Sequence, residues 1–399
     1  MVIRAGYGIF FSYPHMASFG GLNSSPPYGN VISRSNVQNG LDDPWVGYPG
    51  GNPFPTTISP DMQFLSGTIV STVPEDLKAP YVNQWNLTVQ RQIGTDWMVA
   101  ANYLGNLNIH ELDVREANPG VYIPGSTASL ANRRVLALAN PAQGRFYDSI
   151  NYHDDGGTSS YNALWLQLQR RRARGFTFQA NYTWSHCIDD GAFFNSGNGG
   201  KFAIERRGAN RGNCRLDRRH SFSSSTVYEA PRFQFSNPLA RALANNWRVS
   251  LITRILSGPF TDVACSCDNS GTGEIGRPSA LIGGEGERAQ QILVDPYAPN
   301  KNAAQYLNPA AFTMPAVGAY GNMGRGSIRG PGSLRVDMGL SRVFRIHENQ
   351  TIELRAEAFN VLNRVNLFNP VVVLTDPNFG RILSADDPRV MQFALKYGF

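Results

Sequence analysis

Residues 176–185 read Phe-Thr-Phe-Gln-Ala-Asn-Tyr-Thr-Trp-Ser. Phe176, Phe178, Ala180, Tyr182 and Trp184 fall on one side. Thr177, Gln179, Asn181, Thr183 and Ser185 fall on the other. A period of two predicts a β-strand with one apolar and one wet face. The pattern recurs at Trp85-Leu87-Val89, Trp97-Val99-Ala101-Tyr103 and Leu164-Leu166-Leu168. It returns at Trp247-Val249-Leu251, Leu334-Val336-Met338-Leu340, Ile352-Leu354-Ala356-Ala358 and Met391-Phe393-Leu395-Tyr397-Phe399. Residues 2–12 are a weaker case, carrying Ile3, Ala5, Tyr7, Ile9 and Phe11 on one side, and the serine-rich stretch 219–230 is the weakest. The expectation is ten strands of about ten residues each, the length that crosses a bilayer at a tilt. Soluble strands usually run about five or six.

The connections fall into two classes. Short ones are residues 93–96, 172–175 and 345–349, with 229–245 a longer member. Long ones cover 13–81, 107–160, 187–218, 258–332 and 361–388. The two classes alternate strictly. Short turns on one side and long loops on the other are the layout of an antiparallel transmembrane β-barrel in the bacterial outer membrane. With the short turns in the periplasm, an even number of strands returns Phe399 to that side. Trp97 and Trp247 then begin outward strands near the periplasmic interface, while Trp85 and Trp184 lie at the outer end. The four form two aromatic girdles, since an amphipathic ring prefers the headgroup level.

Composition narrows the alternatives. Of 399 residues, 17% are charged and 11% aromatic, with 40 glycines and 25 prolines. So aromatic a chain with a net charge of only +6 does not match a disordered protein. No run of roughly 18 apolar residues occurs, which excludes membrane-spanning helices but not membrane strands. Lys78, Lys201, Lys301 and Lys396 are the lysines, so nearly all 36 basic residues are arginine. The arginines are scattered, with runs at 170–172 and 218–219 read as loop and turn charges; no nucleic-acid partner is expected. The N-terminus lacks a basic region followed by an apolar stretch, so no signal peptide is read there.

The last strand, residues 389–399, resembles the C-terminal signal of bacterial outer-membrane proteins. In those proteins a terminal Phe, with apolar residues at alternate preceding positions, is recognised by the barrel-assembly machinery. Met391, Phe393, Leu395, Tyr397 and Phe399 match that pattern. The wider chain resembles the C-terminal barrel part of Oar-like TonB-dependent receptors of the acidobacterial type. The matching stretches are 181–185 with Ile188-Asp189-Asp190, Asp217-Arg218-Arg219-His220, Trp247 through Phe260, Glu357 through Asn363, and Phe379-Gly380-Arg381-Ile382. The resemblance implies a 22-stranded barrel of which these ten strands are the last. It also implies an N-terminal plug and a TonB-contacting segment, neither of which is read in this chain. The expectation is therefore one partial barrel domain over 1–399, a fragment of a receptor that imports an unidentified ligand. Its partners would be outer-membrane lipid, the assembly machinery, an extracellular ligand and, through the missing part, the TonB complex. Two rivals are weighed: a self-contained porin or adhesin-like barrel, and a secreted soluble β-rich enzyme cleaving carbohydrate with two carboxylates. The enzyme explains neither the alternating connections nor the terminal aromatic ladder.

Few residues suggest chemistry. Pairing about the 345–349 turn sets Asp337 opposite Glu357, with Arg335 and Arg355 as diagonal neighbours and Glu353 following the turn. These charges would line the lumen as cross-strand pairs supporting the sheet, or as substrate or plug contacts. Cys187 and Cys214 flank one long loop and are candidates for a disulfide, worth roughly 3 kcal/mol in the chain-entropy model. Cys265 and Cys267 are too close for an ordinary bridge. His186, Cys187, Cys214 and His220 match no compact zinc motif. Asp154-Asp155, Asp189-Asp190 and Asp386-Asp387 are read as solvated loop acids, because adjacent residues on extended chain point apart. No cofactor, metal site or catalytic group is expected.

Overall fold

Each alternating segment becomes a strand in the computed structural model, which describes all residues except 14–39, 49, 56–67, 191–207, 274–286 and 348–349. The ten are β1 (Val2–Phe11), β2 (Tyr81–Ile93), β3 (Trp97–Glu116), β4 (Tyr147–Ala173) and β5 (Phe176–Asp189), followed by β6 (His220–Glu229), β7 (Trp247–Leu256), β8 (Ser333–His347), β9 (Gln350–Phe359) and β10 (Val390–Gly398). Every strand pairs antiparallel with its neighbour in sequence, giving one sheet in the order β1 to β10. Among the described residues, β1 pairs within it only with β2 and β10 only with β9. No helix among the described residues is long and apolar enough to cross a membrane.

Register turns the strand patterns into two faces. Ile3, Val89, Ala101, Leu166, Tyr182, Phe222, Ile255 and Leu334 align in one row across eight strands. Met338, Ala358 and Met391 continue the same side over β8 to β10. The next row over holds Gln90, Ala100, Gln167, Asn181, Ser223, Arg254 and Arg335. A shift of one residue in any strand would reverse its faces, so the apolar pattern excludes odd shifts of register and leaves shifts of two to the turns.

The tight returns have local causes. Arg174 and Gly175 both adopt positive φ, 51° and 76°. That is the pair a two-residue type I′ hairpin requires, matching the right-handed twist of the strands it joins. A Cβ at Gly175 would also stand 2.3 Å from the Glu229 carbonyl oxygen. Gly105 is needed for another reason: the Trp85 indole lies across it, 2.3 Å from where a Cβ would sit.

Two strands are far longer than the sequence pattern indicates. β3 has 20 residues and β4 has 27, so much of the expected 107–160 loop is sheet. A short strand, Thr68–Thr72, adds to β4 in parallel. The true connection, residues 117–146, carries the short helix α1 (Val135–Ala139). A second helix, α2 (Pro238–Ala244), lies in the 230–246 connection. The alternation is hidden because it breaks at His110, whose φ of 61° makes a bulge.

A separate hydrophobic cluster lies at the long-loop end. Val263, Ala289, Leu307, Ala311, Phe312, Met323, Ile328, Val372 and Ile382 are buried together, all from the 257–332 and 360–389 connections. The Phe312 and Phe379 rings meet edge to face at 5.6 Å. Two small two-stranded ribbons tie these segments: Phe260–Thr261 with Ile328–Arg329, and Gln290–Gln291 with Phe312–Thr313.

Candidate functional site

The polar face of the sheet runs up into the loops folded above it. Its upper part depends on the His110 bulge. Below it, odd-numbered β3 residues such as Tyr103 and Leu107 share the apolar side. Past it, Glu111 joins Asn108 and Ser159 on the polar side, accepting from Ser159 Oγ at 2.7 Å. Asp113 and Arg115 follow at alternate positions and form a fully buried ion pair. The bulge therefore turns three charged side chains inward that unbroken alternation would have aimed outward.

Arginines from the loops complete this polar floor. Arg325 reaches Asp189, donating to its carboxylate and, at 3.1 Å, to its backbone carbonyl. Burial lowers the Arg325 pKa to about 10, against the nearby Asp113 charge that favours the cation. Arg288 donates to the Met323 carbonyl at 3.0 Å, to Asn210 Oδ1 at 3.1 Å and to the Ala209 carbonyl at 2.6 Å. Two long loops are thereby stitched into one cap. At the top of the β3–β4 hairpin, Arg134 sits 2.6 Å from Asp148, and Glu116 accepts from the Asn118 and Ile150 amides at 2.8 and 2.9 Å.

Several acids that sequence reasoning left in solvent are buried here. Asp154 and Asp190 are 5% and 4% exposed. Asp190 accepts from the Thr158 amide at 2.8 Å, and Asp154 from the Gly156 amide at 2.5 Å. Solvation was the wrong expectation because β4 and its partners continue as sheet and pull these acids under the cap. Burial likewise pushes the carboxyl pKa of Asp217 upward, despite Arg219 nearby. It raises that of Glu287 too, despite hydrogen bonds from Ser270 and Asn269.

The charges on β8 and β9 pair differently from expectation. Glu357 stands opposite Gly339, not Asp337, and Arg355 stands opposite Ser341. The return between the strands is two residues, 348–349, with a bulge between Arg345 and His347, which slides the register by two positions. The ion pairs consequently run along each strand. Arg335 Nε donates to Asp337 at 3.0 Å, and Arg355 donates to Glu353 at 3.0 Å with Glu357 at 3.8 Å. Arg254 lies directly across from Arg335; burial lowers the pKa of Arg218, and the Arg254 charge lowers it further. Like charges placed opposite one another repel across a sheet, and Asp337 and Asp386, 3.0 and 3.9 Å from Arg335, offset that repulsion.

Cys187 and Cys214 form a disulfide, with Cα atoms 5.3 Å apart. Their sulfurs are thus committed, His186 bonds Asn213 and His220 bonds Tyr182. Cys265 and Cys267 are also joined, contrary to the expectation from their spacing. Ser266 between them takes φ 55°, which folds the backbone back and leaves the Cα atoms 5.2 Å apart.

The four tryptophans all lie on the apolar side. Trp85 stands beside Tyr7 and Gly105, and Trp184 between Leu164 and His220. Trp97 follows the 94–96 turn and meets Phe178 at 6.3 Å, and Trp247 opens β7 opposite Arg342. Met391, Phe393, Leu395 and Tyr397 occupy that side of β10, and Phe399 follows its last residue. The inward cluster of Glu111, Asp113, Arg115, Arg288 and Arg325 was missed by sequence reading. One signal was available: apolar parity switches from Leu107 and Ile109 to Leu112 and Val114.

A family model described as an outer membrane beta barrel domain matches residues 1–392. No curated protein matches the sequence. Among solved structures, the chain is similar to the outer membrane transporter YddB from Escherichia coli, at 13% identity and a TM-score of 0.43 over 84% of this chain and 34% of that one. It is also similar to a mutant of the ferric enterobactin receptor PfeA from Pseudomonas aeruginosa, at 10% identity and a TM-score of 0.44 over 100% of this chain and 38% of that one. The chain spans about a third of the length of these proteins.

Proposed function

The chain belongs to the outer membrane β-barrel domain family, and from that premise we propose that it is the C-terminal barrel part of an Oar-like TonB-dependent receptor of the acidobacterial type. The protein is an outer-membrane β-barrel with an apolar side toward lipid. In the proposed role its ten strands form one arc of a larger wall, and the cap of long loops meets a ligand arriving from outside. The polar side, with the basic spot at Arg218, Arg254 and Arg335, lines the path. Binding is noncovalent, and import draws on the TonB complex through a part of the receptor outside this chain. The Met391-to-Phe399 ladder serves as the assembly signal, and the four tryptophans as girdles at the two interfaces.

One observation carries this reading: ten consecutive antiparallel strands, in register, that separate an apolar from a charged side and send their long connections to one end. The test has two stages. Membrane fractionation with heat-dependent gel mobility should place the chain in the outer membrane; recovery in the aqueous fraction would end the proposal. For the complete receptor, uptake should then stop when the proton gradient is collapsed. Continued uptake would leave a passive barrel instead.

A further inference from the structure

At the short-turn end, β2–β3, β4–β5 and β8–β9 return through residues 94–96, 174–175 and 348–349, whereas β6–β7 takes residues 230–246. That longer connection is built. The Asn245 side chain accepts from the Phe233 amide at 2.7 Å and donates to the Phe233 carbonyl at 3.0 Å, clamping the loop's two ends. Arg241 donates twice to the Phe235 carbonyl, at 3.1 and 2.7 Å, which satisfies a backbone acceptor just before α2 begins.

The loop is also aimed. Trp247 stands on the apolar side, in a row with Arg342, Leu354 and Leu395. Its indole N–H donates to the Leu243 carbonyl at 3.0 Å. Arg342, on the same side, is 3% exposed. It stacks 5.1 Å from the Trp247 ring and 4.2 Å from Phe344, and donates to the Asn245 carbonyl at 3.1 Å. So the connection folds back over the outer side of β7 and β8. There it leaves Phe233, Phe235 and Leu243 exposed, at 47%, 41% and 58%, with Arg232 beside them. Three large apolar side chains facing water would be a liability. At the edge of an acyl layer they are an asset. A second arginine at this end, Arg170, stacks on Trp97 and Phe176 at 5.4 and 5.1 Å. Arginines stacked on aromatic rings at this end keep positive charge beside the apolar side, as an interface with phosphate headgroups favours.

We propose that residues 230–246 are a membrane-interface anchor, docking on the phospholipid leaflet at the short-turn end. Phe233, Phe235 and Leu243 enter between the headgroups, and Arg232 meets their phosphates. The occupant follows from continuity: the anchor extends the lipid-facing side without a break, and its exposed charge is basic. The proposal rests on the reading of that side as lipid-facing, and the test separates the two.

The full chain is folded into vesicles of phosphatidylcholine with phosphatidylglycerol. The native cysteines are paired, so Leu243→Cys supplies a unique thiol for an environment-sensitive fluorophore. Phe393→Cys and Thr95→Cys are labelled for comparison, and Phe235→Cys repeats the measurement should Leu243→Cys fold poorly. Shallow nitroxide lipid should quench the label at position 243 or 235 several-fold more than the label at 95. Arg232→Glu should weaken that quenching about twofold. Labels at 243 and 235 that behave like the one at 95, while the label at 393 is quenched by lipid, overturn the anchor. No quenching at 393 overturns the lipid-facing reading itself, and indifference to Arg232→Glu removes the phosphate contact.

Discussion

The strand wall and the loop cap draw on the same residue types by opposite rules. In the wall, Phe393 and Leu395 are 74% and 69% exposed. In the cap, Leu307, Ile328 and Val263 are completely buried. The wall has one layer, so among the described residues most of its apolar side, as at Phe393 and Leu395, has no second layer of protein against it and needs a nonaqueous medium. The cap works in water and makes its own core from two loops, tied by backbone hydrogen bonds such as Ala264 to the Val372 carbonyl and Ile382 to the Ala303 carbonyl. Lipid supplies to the wall what folding supplies to the cap.

That difference can be broken most severely from the cap side. Leu307→Asp places an unpaired carboxylate in the loop core and should cost more than about 4 kcal/mol. Hydrogen exchange over 287–329 should rise towards unprotected rates while the wall keeps its heat-dependent gel mobility. Loss of both together would show that cap and wall are one cooperative unit. Removing the loop tie with Cys187→Ser and Cys214→Ser should cost roughly 3–4 kcal/mol. The effect should be local, read as faster proteolysis of the 190–219 connection.

The wall has its own paired test. Leu166→Arg puts a cation on the lipid side and should cost roughly 2–4 kcal/mol at mid-depth. Its neighbour Gln167→Arg, on the polar side, should cost almost nothing. Denaturant titration of the chain folded into vesicles measures both; equal costs would mean the two sides do not differ in medium. The smallest expected effect is pH-dependent and confined to the cap. Burial raises the carboxyl pKa of Glu287 and Asp217, so the folded cap holds these protons to higher pH than the unfolded chain. Their contribution is fully present below the ordinary carboxylate range and is lost as pH rises through the folded values. Protection of residues 260–273, corrected for intrinsic exchange, should fall modestly over that window, and Glu287→Gln should flatten the change.

The alternating strands, the two loop classes and the terminal ladder were legible because strand periodicity and chain connectivity are local properties. Register between β8 and β9 was not, since it turned on a bulge at one return. The Cys265–Cys267 bridge hid behind a spacing rule that a positive φ at Ser266 sets aside. Asp154 and Asp190 look like loop acids until β3 and β4 are seen to run on past the bulge.

Amino-acid order alone determined where the ten long amphipathic strands lie and which side of each alternating stretch is apolar, because a side chain's face follows from its parity along an extended backbone. Tertiary structure alone decided where charge is buried. The His110 bulge turns Glu111, Asp113 and Arg115 inward, and Arg325 comes from a loop more than a hundred residues away from its partner Asp189. Such meetings depend on how separate segments pack in space, and no periodicity within a single segment encodes them.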